Sequence, residues 1–189
     1  MKVCMYIHME TENFVKADEF EALLIAARDN RERCLLYMMG GIGLRVGELV
    51  SSRVEHIHFD QQYLRIPKAN AKSNKSRTLA LLPKIVEALH AYLGEKQSGW
   101  IFPSIAGDHL SSRQVQYILD AIAKRAGIER RIHPHLLRHS FAVWSLEHGV
   151  SVYDLQKQLG HSSILTTAIY LEASPTHMRD SFLRSGMFA

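Results

Sequence analysis

The feature that most constrains this chain is a change of hydrophobic period near residue 56 that reverses after Pro83. Residues 17–27, ADEFEALLIAA, place Phe20, Leu23, Leu24 and Ala27 at helical spacing. Residues 31–39 extend this as a more buried helix, expected to stop at Gly40-Gly41, and a short helix over 46–52 follows the turn at Gly43. The period then shortens. HIHFD, YLRIP and RTLALL read as short strands, joined by a turn at Asp60-Gln61-Gln62 and by a longer hairpin, AKSNKS. After Pro83 helical spacing returns in KIVEALHAYL and in SRQVQYILDAIAKRA, the latter capped by Ser111 or Ser112 and ended by Gly127. His133-Pro134 opens HLLRHSFAVWSLEH, closed by Gly149, and two shorter segments follow over 154–159 and 164–171. Ser174-Pro175 has the form of an N-cap and first helical position for a tail helix over 174–189. The expected fold is mainly α with a small three-stranded antiparallel β-sheet.

No repeat or Gly/Ser/Pro linker divides the 189 residues, so one domain is expected, with a core over about 11–173 and the tail beyond it. At 47% apolar and 22% charged residues the chain can bury a core, which excludes wholesale disorder. Two cysteines, Cys4 and Cys34, without CxxC or Cys/His spacing, argue against a disulfide framework or a structural zinc site and fit a reducing cytoplasm. No apolar run is long enough to span a bilayer, and MKVCMYIHME lacks the pattern of a secretory signal. The net charge of +4 says little by itself, but its distribution says more. Residues 61–84 contain no Asp or Glu, yet carry Arg65, Lys68, Lys72, Lys75, Arg77 and Lys84, while the first sixty residues lean acidic. Positive charge is thereby concentrated where it can meet phosphates.

Proton-transferring and cationic residues cluster at helix ends. In GIGLRVGEL, Arg45 sits at a helix start, where a guanidinium and backbone amides can face one anion. Pairing with Glu48 at helical spacing is the plainer alternative, and Glu48 can also anchor Arg45 for such a task. In HPHLLRHSF, His135, Arg138 and His139 share one helical face, and an imidazole beside a guanidinium can grip a phosphate and move a proton. A capping His and a solvated Arg would explain the same spacing. In LGHSSILTTAIYLE, Gly160 ends one helix, His161 follows, Ser162 or Ser163 caps the next, and Tyr170 lies near its end. A helical Tyr is usually core, and its phenol becomes a useful nucleophile only beside cations or a base.

The order Arg, Lys, His-x-x-Arg, His, Tyr resembles the catalytic signature of the tyrosine site-specific recombinase, or phage integrase, family. The residues that carry it are Arg45 in GLRVGEL, Lys72 in AKSNKSR, His135 and Arg138 in HLLRH, His161 in LGHSS and Tyr170 in TTAIY. The likeness runs over residues 18–173. Ile42 stands where that family often has Thr, and Ser73 and Ser76 where Gly and Glu are frequent, which leaves Lys75 as the alternative to Lys72. The resemblance implies an integrase-type DNA breaking-rejoining catalytic domain. In it Tyr170 attacks a DNA phosphodiester to give a 3′-phosphotyrosyl bond. Arg45 and Arg138 clamp the non-bridging oxygens, His161 adds a hydrogen bond, and Lys72 protonates the leaving 5′-oxygen. His135 serves as base or as part of the clamp. No metal, nucleotide or other cofactor is implied.

The implied partner is double-stranded DNA, with Lys75, Arg77 and Arg113 as candidate DNA contacts and self-association into a tetrameric synapse. The tail, with Met178, Phe182 and Leu183 on one face, docks on a neighbouring protomer or folds back on its own domain. An N-terminal DNA-clamping domain is expected to be absent, and the setting is cytoplasmic and nucleoid-associated. Three other readings make distinct demands: a swivelling topoisomerase or telomere resolvase of the same chemistry, a DNA-binding regulator without catalysis, and a His-metal hydrolase.

Overall fold

The computed structural model describes residues 14–70 and 76–172. The lead-in, most of the AKSNKS hairpin with Lys72 and Lys75, and the tail helix with its proposed docking role lie outside them. Helix α1, Ala17–Ala26, and helix α2, Asn30–Leu36, open the described chain. Asp29 caps α2 by accepting from the Glu32 amide at 2.8 Å. The glycine pair does not stop this helix as expected. The backbone continues into a π turn, Tyr37–Gly41, which lengthens the hydrogen-bond step without breaking it. It hands the chain to a short irregular stretch and then to α3, Val46–Val50.

The sheet is antiparallel with order β1-β2-β3, formed by Ile57–His58, Tyr63–Ile66 and Arg77–Ala80. Its register pairs Ile57 with Leu64 and Leu64 with Leu79. Leu64, Ile66 and Leu79 are buried while Arg65 and Thr78 between them face water, the alternation expected of a one-sided sheet. Gln62 takes a left-handed backbone conformation, φ 52°, in the first turn.

Four of the remaining helices have readable starts. Helix α4 is Pro83–Leu93, with proline at its first position. Helix α5, Ser112–Arg125, is capped by Ser111, whose hydroxyl accepts from the Gln114 amide while Gln114 Oε1 accepts from the Ser111 amide. Helix α6, Pro134–Glu147, starts from His133, whose Nδ1 accepts from the Leu136 amide at 3.1 Å. Helix α7, Val152–Leu159, is capped by Ser151, and α8, Leu165–Glu172, follows.

A large core of Leu35, Leu36, Met38, Met39, Leu49, Leu64, Leu79, Phe102 and Leu137 joins α2, the π turn, the sheet and α6. A smaller apolar cluster of Ala142, Val143, Leu146, Leu155, Leu159 and Tyr170 joins α6, α7 and α8, with Phe14 against it. The chain enters between them, the Val15 amide donating to Ser140 Oγ at 2.7 Å. Helix α6 therefore belongs to both clusters. Side chains on its exposed edge open toward the ends of α3 and α7. No helix among the described residues is long and apolar enough to cross a membrane.

Candidate active site

Arg45, His135, Arg138 and His161 line one cavity of about 600 Å³, together with Val46, Pro134, Gly160, Ser162 and Thr166. Four of the residues singled out in the sequence, Arg45 and three from positions 135 to 161, thus converge. The floor is made of helix ends: the start of α3 brings Arg45, the first turns of α6 bring His135 and Arg138, and the end of α7 brings His161.

Two glycines allow this convergence. Gly43 has φ +70°, and a β-carbon there would lie 2.5 Å from the Phe141 ring. Its carbonyl accepts from Arg138 Nη1 at 2.5 Å. Gly160 has φ +65°, and a β-carbon there would lie 2.7 Å from Arg77 Nε. Its carbonyl accepts from Arg45 Nη2 at 3.3 Å. Both arginines are thus oriented by backbone carbonyls of turns that only glycine fits well.

Arg138 is 3% exposed. Besides Gly43, it donates from Nη2 to the Leu159 carbonyl at 2.7 Å and lies 3.2 Å from His161 Nε2. Burial, followed by repulsion from Arg45, pushes its pKa down to about 9, which leaves it charged at neutral pH. His161 is pushed down to about 4, first by burial and then by Arg138, Arg45 and Arg77, so its ring is neutral at pH 7. Its Nδ1 lies 2.9 Å from Thr167 Oγ1.

Glu48, 2% exposed, lies beneath the cavity and is the carboxylate that holds this set of cations together. It accepts from the Arg45 amide and Nη1, both at 3.1 Å, and from Arg77 Nη1 and Nη2 at 2.7 and 2.8 Å. Burial pushes its pKa up, but the bidentate Arg77 and then Arg45 outweigh this and hold it below the ordinary carboxylate range. Arg45 thus pairs with Glu48, as the helical spacing allowed, while its side chain also lines the cavity.

Arg77 departs from its expected part as a DNA contact. Its side chain is 11% exposed, both terminal nitrogens are engaged by Glu48, and Nε donates to the Gln158 carbonyl at 3.4 Å. It is engaged by Glu48 and the end of α7 instead. The basic composition of residues 61–84 suggested a solvated cation, and nothing local signalled a buried partner 29 residues earlier. Arg113 is exposed on the first turn of α5, its Nε donating to the Tyr117 hydroxyl at 2.7 Å, and is not among the residues lining the cavity.

Tyr170 is 5% exposed and packs in the smaller apolar cluster. Its ring centroid is 5.1 Å from that of His139 and 6.4 Å from that of His161, nearly parallel to the latter at 26°. It is not among the cavity's described lining residues, yet it is near enough to Arg138 to favour that residue's charge. No group of three or more His, Cys, Asp or Glu side chains among the described residues is placed to hold a metal ion. Sequence reasoning gave no role to Thr167, fully buried and bonded to His161, although it lies in the TTAIY run that carries Tyr170.

The family model described as phage integrase family matches residues 13–177. The chain belongs to the phage integrase family. Among its relatives in that family is the tyrosine recombinase XerC of Lacticaseibacillus casei, 32% identical over 166 residues that cover 82% of this chain and 55% of the relative. Another is the tyrosine recombinase XerA of Pyrococcus furiosus, 32% identical over 162 residues, 83% of this chain and 55% of that protein. The chain therefore spans about half the length of the curated family members it matches. The crystal structure of XerA recombinase superimposes with a TM-score of 0.77 at 26% identity, covering 91% of this chain and 65% of that one. The fold is thus that of an integrase-family catalytic domain, mainly helical with one small antiparallel sheet.

Proposed function

We propose that this chain cuts and rejoins DNA strands by transferring a phosphodiester to Tyr170 and back to a DNA hydroxyl. The observation that carries the reading is the shared cavity of Arg45, His135, Arg138 and His161 beside the Tyr170 ring. A phosphodiester gains negative charge on its non-bridging oxygens as the fifth oxygen approaches, and two planar guanidinium forks suit that charge. The Tyr170 oxygen forms a bond to phosphorus as the bond to the 5′-oxygen breaks. The product is a 3′-phosphotyrosyl link and a 5′-hydroxyl. The phenol proton passes to a base, for which His135 is the exposed candidate, and Lys72, or Lys75, supplies a proton to the 5′-oxygen. Because the phosphoester bond is exchanged rather than hydrolysed, a second 5′-hydroxyl can reverse the step without an external energy source.

Tyr170 must move from its apolar cluster toward the cavity for this attack. Helix α8 is eight residues long and packs on α6 and α7, so its displacement is a local change rather than a global one. Double-stranded DNA is the partner this reading requires, held in a tetrameric synapse within the nucleoid. Arg113 is retained as a candidate DNA contact and Lys75 as a second one.

The test is a pool of nicked duplexes of randomised sequence, in which the short 5′-hydroxyl fragment diffuses away and traps the adduct. The wild-type chain yields a slower band on a denaturing gel, and Tyr170→Phe yields none while retaining DNA binding. Retained binding by the wild-type chain without any adduct would favour a DNA-binding regulator instead.

A further inference from the structure

We propose that Thr167 is a positioning residue for this reaction: its buried hydroxyl holds His161 Nδ1–H, keeps Nε2 turned to Arg138 and the cavity, and links that orientation to the helix carrying Tyr170. The proposal rests on the phosphoryl-transfer reading of the site. Its starting point is the direction of two hydrogen bonds. Arg138 Nη2, 3.2 Å from His161 Nε2, has only protons to give, so Nε2 is an acceptor. A neutral imidazole with an unprotonated Nε2 carries its proton on Nδ1, and that nitrogen lies 2.9 Å from Thr167 Oγ1. Thr167 is 0% exposed, so water does not compete for the hydroxyl.

This arrangement has a chemical consequence. With its lone pair on Nε2, His161 steadies Arg138 but cannot donate to a phosphate oxygen. When a phosphodiester occupies the cavity, its negative charge favours protonation of Nε2. The ring then donates from Nε2 to the phosphate while Nδ1–H stays on Thr167. One acceptor, Thr167 Oγ1, serves Nδ1–H in both protonation states, while Nε2 gives up its bond from Arg138 Nη2 as it takes the proton and turns to the phosphate. Phosphate binding accordingly takes up one proton.

The groups that face His161 are consistent with this. Arg138 and His135 on α6, Arg45 at the start of α3 and Arg77 on β3 all disfavour the cation, and Glu48 offsets the last two. On α8 the Tyr170 ring stacks at 6.4 Å. On α7, Lys157 lies over the Tyr153 ring and Asp154 accepts from the Ser151 hydroxyl. An incoming phosphate therefore brings negative charge to a ring whose charged neighbours are chiefly cations.

The experiment compares the chain with Thr167→Val, which keeps the shape and loses the hydroxyl, and Thr167→Ser, which keeps the hydroxyl. Long-range nitrogen–proton NMR of the His161 ring reports its tautomer without DNA, and dimethyl phosphate serves as the phosphodiester probe. The expected spectrum shows Nδ1–H in the wild type and T167S, a mixed tautomer in T167V, and protonation of His161 at higher pH once dimethyl phosphate is added. Adduct formation on the nicked pool falls about tenfold in T167V, the rate equivalent of one hydrogen bond, and recovers to within about threefold in T167S. An Nε2–H tautomer in the wild type overturns the proposal, as does a T167S as slow as T167V. If the NMR result holds but no wild-type adduct forms, the transfer reading fails while the tautomer assignment stands. A thermal melt of T167V separates loss of the hydroxyl from loss of the fold.

Discussion

Replacing Glu48 by glutamine removes one charge and almost no volume, and the structure allows its effect to be sized. The side chain is 2% exposed and accepts from Arg77 at 2.7 and 2.8 Å and from Arg45 at 3.1 Å. Arg77 is 11% exposed, so its pair counts as buried, and removing one partner of such a pair costs about 3–5 kcal/mol. Arg45 is 24% exposed and better screened, so it adds no more than about 1 kcal/mol. Glutamine retains one carbonyl oxygen for Arg77, which places the expected loss near the lower limit, about 3 kcal/mol. For a chain of this length that corresponds to a melting temperature lower by about 6–12 °C.

The same substitution leaves three arginines around the cavity without their counter-charge, so an anion gains what the carboxylate supplied. Urea unfolding at pH 7 with and without inorganic phosphate should show E48Q stabilised more than the wild type by the same phosphate concentration, since ligand binding to the native state adds directly to its stability. The sign with pH is also fixed. Glu48 is held below the ordinary carboxylate range, so its contribution is present above pH about 4.3 and is lost as pH falls through its lower native value. The gap between wild type and E48Q should close in that acid range. A difference below about 1 kcal/mol at pH 7, with equal phosphate dependence, would refute the view that Glu48 holds the arginines.

Three further outcomes are expected. Arg138→Lys keeps a charge but loses the fork that grips the Gly43 and Leu159 carbonyls, and single-turnover adduct formation should fall about 10²-fold or more. Gly160→Ala forces a side chain into φ +65° and against Arg77, and urea melts should show a loss of about 1–3 kcal/mol. His161, neutral in the native state with a pKa of about 4, binds protons less readily than when unfolded, so stability should fall as pH drops from about 6.5 to about 4, and His161→Gln should flatten that part of the profile measured by calorimetry.

Much of the fold could be read from local pattern because the helices and strands here bury one face each, and a one-sided element writes its period into the sequence. The three strands and the caps at Ser111 and His133 are of this kind. The π turn was not legible, since a glycine pair signals a stop and only packing of α6 against Tyr37–Gly41 reveals continuation. In the site, Arg45, His135, Arg138 and His161 could be named because each follows or opens a helix in a recognisable motif. Arg77 could be named only as a DNA contact, not as the partner of Glu48, and Thr167 was given no role. Their roles depend on partners 29 and 6 residues away that face them only in the folded chain.

The cavity brings together cations that repel one another in surroundings that also disfavour charge, and two devices make this possible. Buried Glu48 offsets one of the two charges of Arg45 and Arg77, which share it. Carbonyls orient the guanidinium groups without cancelling their charge: Gly43 and Leu159 take the Arg138 fork, and Gly160 takes Arg45. The difference matters for chemistry. A paired carboxylate cancels most of a guanidinium's field beyond the pair itself, whereas a carbonyl dipole orients a guanidinium and leaves its net charge in place. Arg138, bonded to carbonyls and a neutral imidazole and touched by Glu48 only at longer range, presents the stronger field to a phosphate, and Arg45, tied directly to Glu48, the weaker one. Charge that develops on a phosphate oxygen should therefore be felt chiefly by Arg138, and the loss on lysine substitution should be larger there than at Arg45.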